Sequence, residues 1–313
     1  MQLHKIIVPT PYAVGDVNAF LLKGDALTLF DAGPKTQEAY EALQWGIRSA
    51  GYEMKDVEQV VLTHHHPDHA GWVDAFPNAE ILGHQYVDHW MRQEPEFLEY
   101  RNHFYIGELQ KQGVPKSYID RIVEVRGEME LFGTRPLTGF LVEGDEVPGH
   151  PGLFVYETPG HAQSHLIFLE DHTRECIGGD LLLERVSSNP LVEPPVALEG
   201  ERPRSLLQYN ASLKKLRDLH VSKLYTGHGG EVFNASELVE ERLAKQHSRA
   251  LKVSEMITEP KTVLEVTKQL FAKIYQAQLG LTLSETLGQL DYLVDKGIAV
   301  VSEENGVNIY QKA

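Results

Sequence analysis

One stretch, Thr63-His64-His65-His66-Pro67-Asp68-His69-Ala70-Gly71, restricts what this chain can fold into more than any other. Just before it, Val57-Glu58-Gln59-Val60-Val61-Leu62 is apolar, rich in β-branched residues and of strand length. The histidines are therefore expected where a buried strand ends and a loop opens. On an extended backbone alternate side chains share a face, which sends His64 and His66 to the same side. Asp68 and His69 then follow around a turn toward the same point, while His65 points away. Imidazoles and a carboxylate, with no thiolate, suit borderline and harder divalent ions such as zinc, iron and manganese. A surface tract that gathers metal by accident would not need an acid at ligand-like spacing beside the end of a buried strand.

This HxHxDH string resembles the signature of the metallo-β-lactamase superfamily, and the resemblance implies further ligands downstream. Thr158-Pro159-Gly160-His161 looks like the family's third motif, Gly178-Gly179-Asp180 its fourth and Tyr225-Thr226-Gly227-His228-Gly229 its fifth, all in the family's order. Residue by residue, the two-metal members imply that His64, His66 and His161 bind one ion, that Asp68, His69 and His228 bind a second, and that Asp180 bridges them. The implied cofactors are two divalent ions, zinc first, with iron or manganese as alternatives. The implied reaction is attack of a metal-bridged hydroxide on an activated carbonyl of an ester, thioester or lactone. Asp68 and Asp180 are the candidate catalytic residues, relaying a proton to the leaving group while also ligating.

The resemblance covers about residues 1–235 and implies an α/β fold, a four-layer αββα sandwich. Asp31, at the end of an expected strand over 26–30, matches the acidic first motif and would orient ligands by hydrogen bonding. An Asx turn after a strand calls for the same residue type. His165 resembles a second histidine of the third motif and reads better as a hydrogen-bonded core residue than as a ligand. Tyr225 is either an oxyanion donor or a structural strand residue. Cys176 reads as a buried, inert thiol. Residues 71–75 are expected to form a short helix, and 140–142 and 153–157 to open the second half of the α/β body. The loop 187–200, SSNPLVEPPVALEG, would line the mouth of the site.

Two segments fall outside the α/β alternation. Residues 84–135 read as helices carrying His89, Trp90, Phe97, Tyr100, Phe104 and Tyr105, a helical insertion covering the site. Beyond the catalytic domain of 1–235, residues 237–257, 263–274 and 284–296 read as helices, followed by a hairpin turning at 303–306. That pattern suggests a winged-helix-like C-terminal domain over 236–313. Its third helix sets Glu285, Asp291 and Asp295 against Lys296 alone and has no arginine to offer phosphates or guanine. Packing, closing of the pocket or formation of a homodimer is the better expectation.

Overall architecture resembles the lactamase-beta-like protein 2 group, one branch of which cleaves RNA. A metal-dependent phosphodiesterase or ribonuclease is therefore the alternative, with Arg202, Arg204, Lys214 and Lys215 as the start of a basic track. Glyoxalase II enzymes share the metal motifs, but their fifth motif is GHEY-like, and here Gly229 and Gly230 follow His228. His66 in place of a glutamate departs from the flavodiiron pattern. A mononuclear-iron oxygenase related to persulfide dioxygenases, or a binding protein with a silent site, completes the alternatives. The net charge of −16 repels polyphosphates at long range, so nucleic acid is unlikely and a small-molecule substrate is expected. No stretch approaches about 18 uncharged apolar residues, so no membrane span is expected. Cys176 is the lone cysteine, which precludes an intramolecular disulfide, and a cytoplasmic location is the default.

Overall fold

The computed structural model describes residues 1–123 and 129–313, so residues 124–128 of the 84–135 insertion lie outside the described residues. β1 (Leu3–Val8), β2 (Val17–Lys23) and β3 (Leu27–Phe30) form an antiparallel meander. β4 (Gln59–Val61), β5 (Glu80–Gly83) and β6 (Gly139–Phe140) add to it in parallel, giving a six-stranded sheet in chain order. β7 (Leu153–Glu157), β8 (Leu166–Glu170), β9 (Glu175–Gly179) and β10 (Lys223–Thr226) form a second sheet in the order β10-β9-β8-β7.

Strand alternation sorts the side chains into layers. Phe20, Phe30, Val61 and Leu82 of the first sheet meet Val155, Phe168 and Ile177 of the second, with the Phe30 and Phe168 rings 5.2 Å apart. The intervening residues Ala19, Leu21 and Leu29 face outward against Ala39, Leu43 and Ile47 of α1 (Gln37–Ser49). Burial of Leu43 and Ile47 contributes roughly 1.5–3 kcal/mol each. Thr36 caps this helix by accepting from the Ala39 amide at 3.3 Å, a contact that contributes about 1 kcal/mol. Ile167, Leu169 and Cys176 of the second sheet face α6 (Ser205–Asp218) through Leu206, Leu213 and Leu216. Two sheets thus lie face to face with helices on their outer faces.

Four boundaries differ from expectation, one of them the helix read over 263–274, which ends at Leu270 and continues as turn. A helix begins inside the histidine motif, as α2 (Pro67–Ala70), because Pro67 occupies its first turn and loses no hydrogen bond there; residues Trp72–Ala75 form only a 3₁₀ turn. The segment 140–142 does not open the second sheet. β6 is the last strand of the first sheet and stops where the Asp145 carboxylate accepts from the Val142 amide and turns the chain. The third C-terminal helix, α9 (Leu279–Asp295), starts before residue 284, since Leu279 continues the buried stripe of Leu283 and Leu287 at four-residue spacing.

The insertion supplies α3 (Gln85–Arg92), α4 (Pro95–Lys111) and α5 (Lys116–Val123). The C-terminal segment supplies α7 (Ala235–Ser254), α8 (Val263–Leu270), α9 and the hairpin of β11 (Ala299–Glu304) and β12 (Val307–Lys312). Val114 and Ile119 of the insertion share one core with Val253, Ile257, Val263, Leu287 and Leu290. Arg202 spans the same contact, pairing with Asp291 at 2.9 Å and Glu108 at 3.2 Å. No helix among the described residues is long and apolar enough to cross a membrane.

Candidate metal centre

The site is assembled at strand ends. Asp31 follows β3, His64 and His66 follow β4, His161 follows β7, Asp180 follows β9 and His228 follows β10. Ligand sites in open α/β sheets occupy this position, outside the carboxyl ends of strands. Asp31 sits at φ 61°, a left-handed conformation that aspartate tolerates better than most residues. Its carboxylate accepts from the Thr63 amide (2.8 Å), the Thr63 hydroxyl (2.9 Å) and His69 Nδ1 (2.7 Å).

Each ring of the cluster is held from behind. His64 Nδ1 lies 2.9 Å from Thr63 Oγ1, His161 Nδ1 donates to the Asn189 carbonyl at 2.9 Å, and His228 Nδ1 donates to the Asp16 carbonyl at 2.8 Å. His66 is reversed: its Nε2 lies 3.3 Å from Glu193, and its Nδ1 turns inward, 2.9 Å from His64 Nε2. Such outer partners fix ring orientation, so that the other ring nitrogen faces the centre.

The inward atoms gather into donor groups of His64, His66 and His161, of Asp68, His69 and His228, and of His64, His69 and Asp180. Asp180 lies 3.5 Å from His69 Nε2, 3.6 Å from His161 Nε2 and 3.4 Å from His228 Nε2, and Asp68 lies 3.3 Å from His228 Nε2. The inward Nε2 atoms of His69, His161 and His228 and one oxygen of Asp180 are buried without a hydrogen-bond partner. Each such group costs about 1–3 kcal/mol. Together they form an imidazole and carboxylate donor set of the kind that holds divalent ions. The residues present fit a metal.

Electrostatics divides the rings. Burial and the neighbouring imidazoles hold His64 well below its usual value and bring His161 down to about 4, so both are neutral with their lone pairs available. Burial also opposes charge on His228, but Asp180 and Asp68 outweigh it and push that ring up to about 10. His69 is raised in the same way, with Asp31, Asp180 and Asp68 overcoming burial. Asp180 stays ionised despite its burial because His228 and His69 flank it.

All seven residues singled out as ligands (His64, His66, Asp68, His69, His161, Asp180 and His228) come together here. His165 lies outside every donor group. It is held between Thr158 Oγ1 at 2.8 Å and the Asp180 amide, which donates to its Nε2 at 3.1 Å. Tyr225 donates to Glu175 at 3.2 Å and packs on Phe20, away from the donor groups. Cys176 is fully buried, and burial pushes its thiol up, which keeps it inert. Gly227 is required by close approach: a Cβ there would lie 2.1 Å from an Asp180 oxygen.

Glu193 was not singled out by the sequence. It is 2% exposed, accepts from the Gln163 amide at 2.7 Å, and lies 3.3 Å from both His65 and His66. Burial raises its carboxyl, but His65 and His66 outweigh that and hold it ionised. An acid between Val192 and Pro194 in an otherwise apolar loop was the available signal. His65 itself turns from the cluster, bonding Ser164 Oγ at 2.8 Å and stacking on Trp90 at 4.4 Å.

Two facing sheets with histidine and aspartate donors gathered at their strand ends define an α/β class with a metal-binding centre, and comparison with known proteins names it. The model of the metallo-beta-lactamase superfamily matches residues 12–228, and the chain belongs to that superfamily as a metallo-hydrolase. It is 40% identical over 309 residues to the probable metallo-hydrolase YqjP of Bacillus subtilis (strain 168), covering 98% of this chain and 96% of that protein. It is 25% identical over 270 residues to a beta-lactamase-like protein 2 homolog of Caenorhabditis elegans, covering 84% of this chain and 74% of that one. A crystal structure of a metallo-beta-lactamase family protein from Thermus thermophilus superposes with a TM-score of 0.80 at 28% identity, covering 99% of this chain and 98% of that chain.

Proposed function

We propose that the centre holds two divalent ions, zinc in the first instance, and that the enzyme hydrolyses an activated carbonyl in a small ester, thioester or lactone. Convergence of inward ring nitrogens on Asp68 and Asp180, each ring tethered from behind, carries this reading. His64, His66 and His161 would hold one ion and Asp68, His69 and His228 the other, with Asp180 against rings of both groups. When bound, such ions polarise a carbonyl oxygen and acidify water, so that a nucleophile exists at neutral pH without serine or cysteine.

The remaining work belongs to the chain. Asp31, Thr63 and the carbonyls of Asn189 and Asp16 fix the rings. Asp68 and Asp180, ionised and largely shielded from bulk water, would take a proton from the attacking water and deliver it to the leaving group. We assign residues 1–235 as the catalytic domain, 84–135 as its helical cover, and 236–313, three helices and a hairpin, as a winged-helix-like domain that packs on the cover.

The phosphodiesterase reading draws less support. Arg202 is engaged by Asp291 and Glu108, and Lys215 by Glu143 at 2.8 Å, which neutralises much of the basic track such a substrate would need. The test is turnover by zinc- or manganese-loaded protein against acyl-thioesters, lactones, a phosphodiester and single-stranded RNA. Carbonyl substrates alone are expected to turn over, and cleavage of the phosphodiester or RNA would overturn the assignment.

A further inference from the structure

Between α4, the loop 187–200 and the start of α9 lies a cavity of about 460 Å³, inside the range of roughly 300–1,000 Å³ typical of small-molecule sites. Its walls include Leu109, Leu191, Leu283 and Leu287. Two polar side chains of residues lining it are more than nine-tenths buried, and each holds a buried atom without a hydrogen-bond partner, Nε of Arg101 and Oε1 of Gln112. The Arg101 guanidinium lies 5.3 Å from the Trp90 ring centre and 5.2 Å from that of Tyr105, and donates to Asn102 Oδ1 at 3.2 Å. Among the described residues no carboxylate stands within ion-pair distance of it. Glu108, the acid lining the cavity, is taken by Arg202 and Lys111, each at 3.2 Å.

A buried cation without a counter-charge is costly. A guanidinium also presents a planar fork of donors matched to carboxylate or phosphate oxygens. The cavity adjoins the metal centre. The Leu191 amide donates to the His161 carbonyl at 3.4 Å, and Trp90, beneath Arg101, stacks on His65.

We propose that this cavity binds the non-reacting part of the substrate, an unbranched apolar chain ending in an anionic head, carboxylate or phosphate monoester, with the head paired to Arg101. Calling that molecule a substrate rests on the hydrolase reading above, whereas binding of the amphiphilic anion does not. Leucine walls accept the chain by apolar burial. Arg101 then selects for charge at one end, and an uncharged chain leaves it without a counter-charge.

The test is titration calorimetry of full-length, metal-loaded protein with octanoate, octyl phosphate, octanol and acetate. At least one of the two eight-carbon anions is expected to bind at least tenfold more tightly than either octanol or acetate, and the tighter of the two identifies the head. Arg101→Gln is expected to remove that tenfold preference, about 1.4 kcal/mol, and Arg101→Lys to restore part of it. Leu281→Trp, at the cavity wall on a 43%-exposed position that tolerates bulk, is expected to weaken both chains and leave acetate unchanged. Acetate binding as tightly as both eight-carbon anions would place the head at the metal centre and overturn the proposal. So would anion affinities unchanged in Arg101→Gln and Leu281→Trp. If Arg101→Gln does not fold, Leu281→Trp decides. None of these probes has a bond to hydrolyse, so failure of the turnover panel and failure of this site are separate results.

Discussion

The metal centre and the neighbouring cavity are separated by a strip of loop, residues 189–193, and are built in opposite ways. At the centre, polar groups are held in place: each imidazole has an oxygen partner behind it and its other nitrogen turned to the centre. In the cavity a guanidinium stands among leucines and aromatic rings without a carboxylate. The first arrangement fixes geometry, as the chemistry of a metal demands. The second leaves one charge to be satisfied, as discrimination among substrates demands. Under the two proposals above, reaction and selectivity are housed apart, the former at strand ends and the latter between helices.

The sharpest way to break this division is to remove residues 236–313. Because Val114 and Ile119 share their core with α7, α8 and α9, the truncated chain is expected to be insoluble or to lose cooperative unfolding. A soluble, active fragment would show the cavity side to be dispensable. Asp180→Asn comes next. It removes the charge between the ring groups and is expected to lower turnover by more than about 100-fold, beyond the upper end of what an outer partner of a ligand costs. Circular dichroism should stay unchanged while metal content drops.

Asp31→Asn keeps the left-handed turn and a hydrogen-bonding side chain but removes the charge behind His69. Metal affinity, read by competition with a chelator, is expected to fall about 10–100-fold. Glu193→Gln keeps an acceptor for the Gln163 amide and loses the charge beside His65 and His66. A loss of about tenfold in affinity is expected, at the low end of the same range. If affinity in Glu193→Gln matched the unsubstituted protein, the loop 187–200 would be a wall and not part of the cradle.

The contrast also explains what was legible in the sequence. His64, His66, Asp68 and His69 sit within a few residues at the end of one strand, so spacing alone aims them. The anchors of His161 and His228 are another matter: the Asn189 and Asp16 carbonyls are main-chain atoms that leave no mark on the residue type. Glu193 reaches His66 across the chain, through a fold the residue string does not print. Trp90 and Phe97, read as part of a cover, are buried with the outer core of the first sheet. Arg101, among them, gave no periodic or motif signal. The C-terminal helices were legible from their apolar spacing. Their common core with the insertion was not, since it joins residues 114–119 to residues 250–293 by packing alone.

Ions per chain, counted by elemental analysis of zinc-loaded protein, test the central claim most directly. Two are expected in the unsubstituted protein, with His161→Ala and His228→Ala each reducing the count to one, because the rings belong to different donor groups. A single ion per chain in the unsubstituted protein, lost alike in both variants, would contradict it.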